Sequence, residues 1–176
     1  RKIGSTFAET DLMRPGVDGF SKVNLGLVED TDPRNGAIGN EVFADANGNG
    51  IKDRGEQGVA GVGVTLTGAG DDGIFGTADD ISASTVTSDK GRYRFGHLAA
   101  GDYKVTFDKP DGLVFSEANV GSKESKDSDA DVNTGMTDVI SLAEGERNLQ
   151  VDAGLIDPNT VDPGDASIGD LVFQDI

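Results

Sequence analysis

Residues 91–107 of the chain read GRYRFGHLAAGDYKVTF. Apolar residues alternate with polar ones on both sides of a central turn, at Tyr93 and Phe95 before it and at Tyr103, Val105 and Phe107 after it. A period of two is typical of strands that bury one face, and the turn itself, Ala-Gly-Asp, has the composition of a tight reversal. The stretch therefore predicts two short β-strands separated by a turn.

The same period recurs elsewhere in the chain. It is found in Val62, Val64 and Leu66, and again in Leu149, Val151 and Ala153, while residues 38–43 and 59–66 also have the pattern of strands. No window combines a helical period with caps at both ends. Short strands separated by turn signals predict an all-β fold, an antiparallel β-sandwich.

The composition excludes several classes of protein. The 176 residues include 32 acidic and 15 basic side chains, a formal net charge of −17, and neither cysteine nor tryptophan. Phosphate backbones repel such a charge, and no apolar run approaches the ~20 residues of a membrane-spanning helix, so we expect no nucleic-acid partner and no membrane insertion. Without cysteine there is no disulfide or thiolate metal site. The acidity then reflects disorder, adaptation to high salt or neutralisation by a cation, and the strand pattern argues against disorder.

Internal similarity indicates a tandem array. Residues 23–28 resemble residues 151–156, and residues 37–45 resemble residues 167–175. The simplest interpretation is one complete module with parts of its neighbours attached. The predicted segments are the tail of a preceding domain or divergent repeat (1–28), a linker (29–36), the complete module (37–156), a second linker (157–166) and the first strand of a following repeat (167–176).

The strongest local motif is a loop of alternating oxygen-bearing side chains. Residues 45–56, DANGNGIKDRGE, satisfy the twelve-residue calcium-loop pattern D-x-[DN]-x-[DN]-G-x5-E. Calcium requires six to eight oxygen ligands, so the loop must wrap around the ion. The predicted ligands are the side chains of Asp45, Asn47, Asn49, Asp53 and Glu56 and the backbone carbonyl of Ile51. Strands rather than helices are predicted on both sides, so a helix-opening calcium switch is not expected.

Two further acidic clusters are candidates for cation binding. One lies within residues 126–135 and contains Asp127, Asp129 and Asp131 at alternate positions; the alternative is an exposed acidic loop. The other lies within residues 70–80 and contains Asp71, Asp72, Asp79 and Asp80 around an Ile-Phe pair; the alternative is a solvated hairpin insertion. Together the three clusters predict two to three bound Ca²⁺ ions.

Catalysis is not expected from this sequence. His97 is the only histidine, and it precedes a predicted turn. At that position a role as a polar turn residue is a simpler interpretation than a role as a general base. Paired carboxylates are abundant, but they fall in the calcium-like loops rather than in a pattern of their own. We therefore predict a protein that is not an enzyme.

The ordered set of motifs resembles a known family. Residues 38–43, the loop 45–56, residues 58–66, residues 87–107 and the Asp127-Ser128-Asp129 and Asp152-Ala153-Gly154-Leu155 motifs are similar to the B-repeat domain of Sdr-type surface adhesins. That family is related to the collagen-adhesin B-type, prealbumin-like and Ig-like fold. The resemblance covers residues 37–156, and the loop 68–80 is longer than the compact family pattern.

The resemblance implies a calcium-stabilised spacer in a secreted or cell-surface protein. It also implies that Asp45, Asn47, Asn49, Asp53, Glu56, Asp127, Asp129 and Asp131 are metal ligands. The implied partners are neighbouring repeats of the same chain. Two alternatives are left open by the sequence: a module that binds a host-surface, polysaccharide or protein ligand, and an accessory domain of a secreted hydrolase.

Overall fold

A computed structural model describes residues 35–160, and every regular element in that range is a β-strand. The predicted segments 1–28 and 167–176, and most of the two predicted linkers, lie outside the described residues. Among residues 35–160, no helix is long and apolar enough to cross a membrane. The strands are β1 (Gly36–Ala44), β2 (Gly63–Gly68), β3 (Ile81–Val86), β4 (Arg92–Leu98), β5 (Gly101–Phe107), β6 (Val114–Phe115), β7 (Ile140–Leu142), β8 (Arg147–Asn148) and β9 (Ala153–Ile156).

The strands form two sheets. One has the order β4-β1-β9-β6, with β8 also pairing with β1, and the other has the order β3-β2-β5-β7. The second sheet is antiparallel throughout, whereas β1 runs parallel to both β8 and β9 in the first. The predicted all-β sandwich is confirmed. The parallel pairs were not predicted, because they join strands from opposite ends of the described region, and a local alternation pattern carries no information about such pairing.

The core lies between the two sheets and is built from the alternating residues that the sequence identified. Tyr93 of β4 packs edge-on against Phe107 of β5, with ring centroids 5.5 Å apart. The Tyr93 hydroxyl donates a hydrogen bond to the Val151 carbonyl at 2.8 Å, which satisfies the polar end of a buried ring. The sheets are therefore joined by aromatic packing as well as by aliphatic contacts.

Some predicted strands differ from the observed ones. The strand predicted over residues 59–66 begins only at Gly63. The predicted alternation of buried residues through Leu149, Val151 and Ala153 holds only in part, because Leu149 is 38% exposed whereas Val151 is 3% exposed. Strand β3 was not predicted, since its sequence ISASTV is dominated by small polar residues and lies at a sheet edge, where burial does not impose a pattern.

Candidate metal centre

The loop 45–56 is organised by the buried carboxylate of Asp45, which directly follows β1 and is 1% exposed. Asp45 Oδ1 accepts hydrogen bonds from the backbone N–H groups of Gly48 (2.7 Å) and Asn49 (3.2 Å). Asp45 Oδ2 accepts from the Gly50 N–H (2.8 Å) and from the Ser116 hydroxyl (2.7 Å). The first acidic position of the motif therefore holds the turn together and ties it to the body of the sandwich.

Gly50 is required at the sharp turn of this loop. Its φ of 74° lies in the left-handed region, and a Cβ at this position would be 2.6 Å from the Glu117 carbonyl oxygen. Any side chain would therefore clash with backbone, so only glycine fits.

The far end of the loop is closed by Glu56. Its two carboxylate oxygens accept from the N–H groups of Ala46 (2.9 Å) and Asp53 (2.8 Å). Asp53 Oδ2 in turn accepts from the side-chain amides of Asn47 and Asn49, each at 3.0 Å. The five predicted side-chain ligands thus lie in one hydrogen-bonded loop, with the two asparagines presenting nitrogen rather than oxygen to Asp53.

A second segment runs beside this loop and brings Asp127 to it. Ile51 and Asp127 form an isolated antiparallel bridge, flanked by hydrogen bonds from Lys52 N to Lys126 O (2.6 Å) and from Ser128 N to Gly50 O (3.0 Å). Neither of these bonds uses the Ile51 carbonyl. The Asp127 side chain is 2% exposed, and its Oδ1 atom has no hydrogen-bond partner among residues 35–160. A buried carboxylate oxygen without a partner is costly, and a cation would offset that cost.

A pair of carboxyls, half-buried Asp129 and buried Asp152, lies at the other end of the same segment. Asp129 Oδ2 accepts from the Asp152 N–H at 2.7 Å, and Asp152 accepts from the Asn40 side chain (3.0 Å) and the Glu41 N–H (2.9 Å). Burial raises the pKa of Asp129 to about 7, with the negative charges of Asp127 and Glu124 adding to the effect. Burial likewise raises the pKa of Asp152 to about 7, with the charges of Asp129 and Glu41 contributing. The two carboxyls therefore hold protons that isolated carboxyls would release.

Asp152 was missed as a candidate site residue. It was quoted only as part of a motif, because a single aspartate in a strand-like stretch carries no ligand pattern of its own. Two hydrogen bonds place it beside Asp129: the Asp129 N–H donates to the Asp152 carbonyl (2.8 Å), and the Asp152 N–H donates to the Asp129 carboxylate. The signal that could have found it is the polarity of a residue preceding buried Ala153 and Leu155.

Asp131 is not brought to this pair by any observed hydrogen bond. Its exposed carboxylate accepts from the N–H groups of Asn133 (3.1 Å) and Thr134 (2.9 Å) and from the Thr134 hydroxyl (2.9 Å). These hydrogen bonds, led by the Thr134 hydroxyl, lower the pKa of Asp131. Asp131 therefore stabilises a turn, and its predicted role as a ligand stays a prediction.

The loop 70–80 connects β2 and β3 and is closed by its own carboxylates. Asp79 Oδ2 accepts from the N–H groups of Asp71 (2.7 Å) and Asp72 (3.2 Å), and its Oδ1 accepts from the Thr77 hydroxyl (2.6 Å), which lowers the pKa of Asp79. Asp80 Oδ2 accepts from the Gly76 N–H at 2.7 Å. The loop is thus held together by its own hydrogen bonds. One contact with the sheet comes from Lys104 of β5, whose Nζ lies 4.8 Å from the centroid of the Phe75 ring.

No three histidine, aspartate or glutamate side chains in residues 35–160 converge as a ready-made metal-binding group. In the loop 45–56, the side-chain amides of Asn47 and Asn49 donate to Asp53, and the Asp45 carboxylate already accepts four hydrogen bonds from protein donors. Both facts agree with the lack of a ready-made group there. Binding of an ion there requires the two amides to turn their oxygens inward. The predicted ligand sets accordingly remain predictions.

The fold and the loop define a class: a two-sheet β-module that carries an oxygen-rich loop between its first two strands. A family model described as SdrD B-like domain matches residues 36–155, and the chain belongs to that family. The predicted resemblance to Sdr-type B repeats is confirmed.

Two relatives illustrate the relationship. The chain is 36% identical over 103 residues to serine-aspartate repeat-containing protein F of Staphylococcus epidermidis, covering 58% of this chain and 6% of that protein. It is 31% identical over 172 residues to serine-aspartate repeat-containing protein D of Staphylococcus aureus, covering 91% of this chain and 11% of that protein. The chain therefore corresponds to a small part of each relative's length.

Solved structures show a more distant likeness. The minor pilin GBS52 of Streptococcus agalactiae is 14% identical with a TM-score of 0.38, covering 69% of this chain and 44% of that one. The full-length major pilin SpaD of Corynebacterium diphtheriae is 18% identical with a TM-score of 0.43, covering 70% and 32% respectively. The fold assignment rests on the strands and sheets described above.

Proposed function

We propose that this chain is a non-enzymatic, calcium-stabilised spacer module of a tandem-repeat adhesin that is secreted or displayed at the cell surface. The single observation that carries the proposal is the buried, unpartnered Oδ1 of Asp127 beside the calcium-like loop. A cation at this position would satisfy an oxygen that the protein itself leaves without a donor. Membership of the SdrD B-like family supports the spacer role.

The residues present fit a hard divalent cation. The loop and the adjoining segment offer carboxylate, amide and carbonyl oxygens and no nitrogen or sulfur ligands, which is the donor set that calcium prefers. The residues that would hold the ion are Asp45, Asn47, Asn49, Asp53 and Glu56, the Ile51 carbonyl and Asp127. When bound, calcium supplies the positive charge that offsets these carboxylates, and turning the two asparagine amides exposes their oxygens to it.

The pair Asp129 and Asp152 supports a second cation position. Asp152 is buried and Asp129 is half-buried beside it, and Glu124 adds a third negative charge near Asp129. A cation between them would replace the protons that the pair otherwise retains. The carboxylates of the loop 70–80 are the proposed third position. Asp79 is hydrogen-bonded within the loop, whereas Asp80 Oδ1 is buried and has no hydrogen-bond partner among residues 35–160.

Binding to the folded state alone raises the free energy of unfolding by RT ln(1 + [L]/Kd), about 2.7 kcal/mol per site at a hundredfold excess of calcium. The same ions would fix the loop 45–56 against the segment around Asp127. A module stiffened in this way transmits force along a stalk of neighbouring repeats, which are its proposed partners. Extracellular calcium suits the weaker affinities of such loops.

The direct test is calorimetric titration of the metal-stripped chain with CaCl₂, together with thermal unfolding with and without a chelator. We expect one or more bound ions and a higher melting temperature in calcium. Glu56→Gln should weaken the titration, while the control Asp111→Asn, an exposed carboxylate outside the loops, should not. An unchanged melting temperature and no heat of binding would refute the proposal.

A further inference from the structure

A groove of about 540 Å³ lies where the edge strands of the two sheets come together. Strand β3 ends one sheet and β4 ends the other, and the groove is lined by residues from both, together with Leu149. Val86 is 60% exposed and Leu149 is 38% exposed, so apolar surface is left open to solvent at this place. Apolar surface of this kind beside an unpaired strand edge is a common feature of peptide-binding sites.

The groove also carries positive charge in an acidic chain. Arg92 and Arg94 are both exposed, and they lie two positions apart on β4, so their side chains leave the same face of the strand. Within residues 35–160, neither guanidinium forms an ion pair or a hydrogen bond. This is unexpected in a chain with a net charge of −17, where acidic neighbours are plentiful.

Arg92 is left unpaired although an acid lies opposite it. Glu41 of β1 is its partner in the β1–β4 register, yet the Glu41 carboxylate forms an ion pair with Lys52 instead. On the same face, Arg94 lies opposite Gly39, which has no side chain to offer. The two guanidinium groups are therefore available to a ligand from outside the module.

We propose that the β3–β4 groove binds an extended acidic peptide with carboxylates at alternate positions. Such a peptide can add as a strand beside β4, whose only strand partner within residues 35–160 is β1. Its backbone would pair with β4 at Arg94, because the N–H and C=O of Arg92 already bond the hydroxyl and the N–H of Ser88. Carboxylates at alternate positions of the peptide would reach the two exposed guanidinium groups from the groove. Val86 and Leu149 would contact the apolar parts of the peptide.

Charge complementarity selects this occupant over a neutral peptide. Arginines on an exposed edge discourage pairing with an uncharged or basic strand, because such a strand would shield the guanidinium groups from water without supplying a counter-charge. Alternating carboxylates remove that obstacle and convert both arginines into charge-assisted hydrogen-bond donors. The same residues that protect the edge thereby make it selective.

The test uses the 176-residue chain and a synthetic octapeptide of alternating threonine and aspartate, with the asparagine version as the control peptide. Binding is measured by fluorescence anisotropy and mapped by amide chemical shifts. We expect the aspartate peptide to bind and to shift the amides of β3 and β4. Arg92→Gln combined with Arg94→Gln should weaken binding by about tenfold or more, whereas Lys109→Gln with Lys123→Gln, which removes the same charge elsewhere, should change it less than twofold.

Three results would overturn the proposal: equal binding of the aspartate and asparagine peptides, equal effects of the two double variants, or shifts confined to other strands. Stronger binding of a polyanion without a peptide backbone, such as polygalacturonate, would also overturn it by assigning the groove to a carbohydrate. If the arginine variant fails to fold, the comparison of the two peptides and the shift map of the unmodified chain still decide the question.

Discussion

The Asp129 carboxylate accepts a hydrogen bond from the backbone N–H of Asp152 at 2.7 Å, so a half-buried acid and a buried acid that are 23 positions apart in sequence lie side by side. Desolvation and nearby negative charges raise the pKa of each carboxyl to about 7, so protonation is one way to meet the cost of placing two negative charges side by side. A cation offers the other way to meet that cost. Stability, pH and metal content are therefore coupled in this module.

The first prediction concerns the pH dependence of the metal-free protein. The pKa of each of these two carboxyls rises from 3.8 to about 7 on folding, so between these values the folded state binds more protons than the unfolded chain. The free energy of unfolding must then fall as pH rises through this window. We expect chelator-treated protein to unfold at a higher urea concentration at about pH 5 than at about pH 8.

Asp129→Asn should flatten this pH dependence, because asparagine keeps the acceptor for the Asp152 N–H and cannot ionise. Asp111→Asn is the matched control and should leave the profile unchanged. Saturating calcium should also flatten or reverse the profile, since calcium competes with protons for the same oxygens. A metal-free profile that rises from pH 5 to 8 would contradict the assignment.

The second prediction concerns Asp127→Asn. In the metal-free protein this change replaces a carboxyl whose buried Oδ1 has no partner by a neutral amide, which is less costly to bury than a carboxylate, so we expect the free energy of unfolding to rise. In calcium the same change removes a proposed ligand, so the increase in melting temperature on adding calcium should shrink. Thermal unfolding in chelator and in calcium measures both effects. Opposite signs in the two conditions are the expected signature, and destabilisation in both would indicate a purely structural role.

The third prediction separates the two ends of the calcium-like loop. Asp45→Ala leaves three backbone N–H groups and the Ser116 hydroxyl without their acceptor, so it should lower the free energy of unfolding by about 3 kcal/mol or more, with or without calcium. Glu56→Gln, at a half-buried position with only two backbone N–H donors, should cost less than Asp45→Ala in chelator while still reducing the calcium response. Urea unfolding in both conditions tests this contrast. Equal effects of the two variants would contradict the distinction between a structural role for Asp45 and a calcium-dependent role for Glu56.

The fourth prediction concerns the loop 70–80. Its replacement by Asn-Gly leaves Ala69 and the closing pair Gly68–Ile81 in place, and a short turn with glycine suits the β2–β3 hairpin. We expect the free energy of unfolding to change by less than about 1 kcal/mol, because the deleted hydrogen bonds lie almost entirely within the loop. The calcium-induced rise in melting temperature should persist. Loss of that rise would place a stabilising ion in the deleted loop, and loss of adhesion by the parent protein with stability intact would favour the ligand-binding alternative.

Local sequence patterns were sufficient for much of the fold. The alternation through Tyr103, Val105 and Phe107 predicted β5 because these side chains are buried on one face of a central strand. The same reasoning failed for β3, since its side chains are exposed, and for Leu149, which lies at the mouth of a groove rather than in the core. Alternation of apolar and polar residues predicts strands that bury one face, and it does not identify strands whose side chains are exposed.

The sequence by itself determined the strands with buried faces, the loop 45–56 with its required Gly50, and the family. Tertiary structure alone decided that Asp152 joins Asp129. It also decided that, within the described residues 35–160, Asp127 Oδ1 has no hydrogen-bond partner and Arg92 and Arg94 have no acidic partner. The physical reason is the range of the interactions. Alternation, turn geometry and loop spacing act over a few residues, whereas burial of a charge and its choice of partner depend on segments brought together only when the sheets pack.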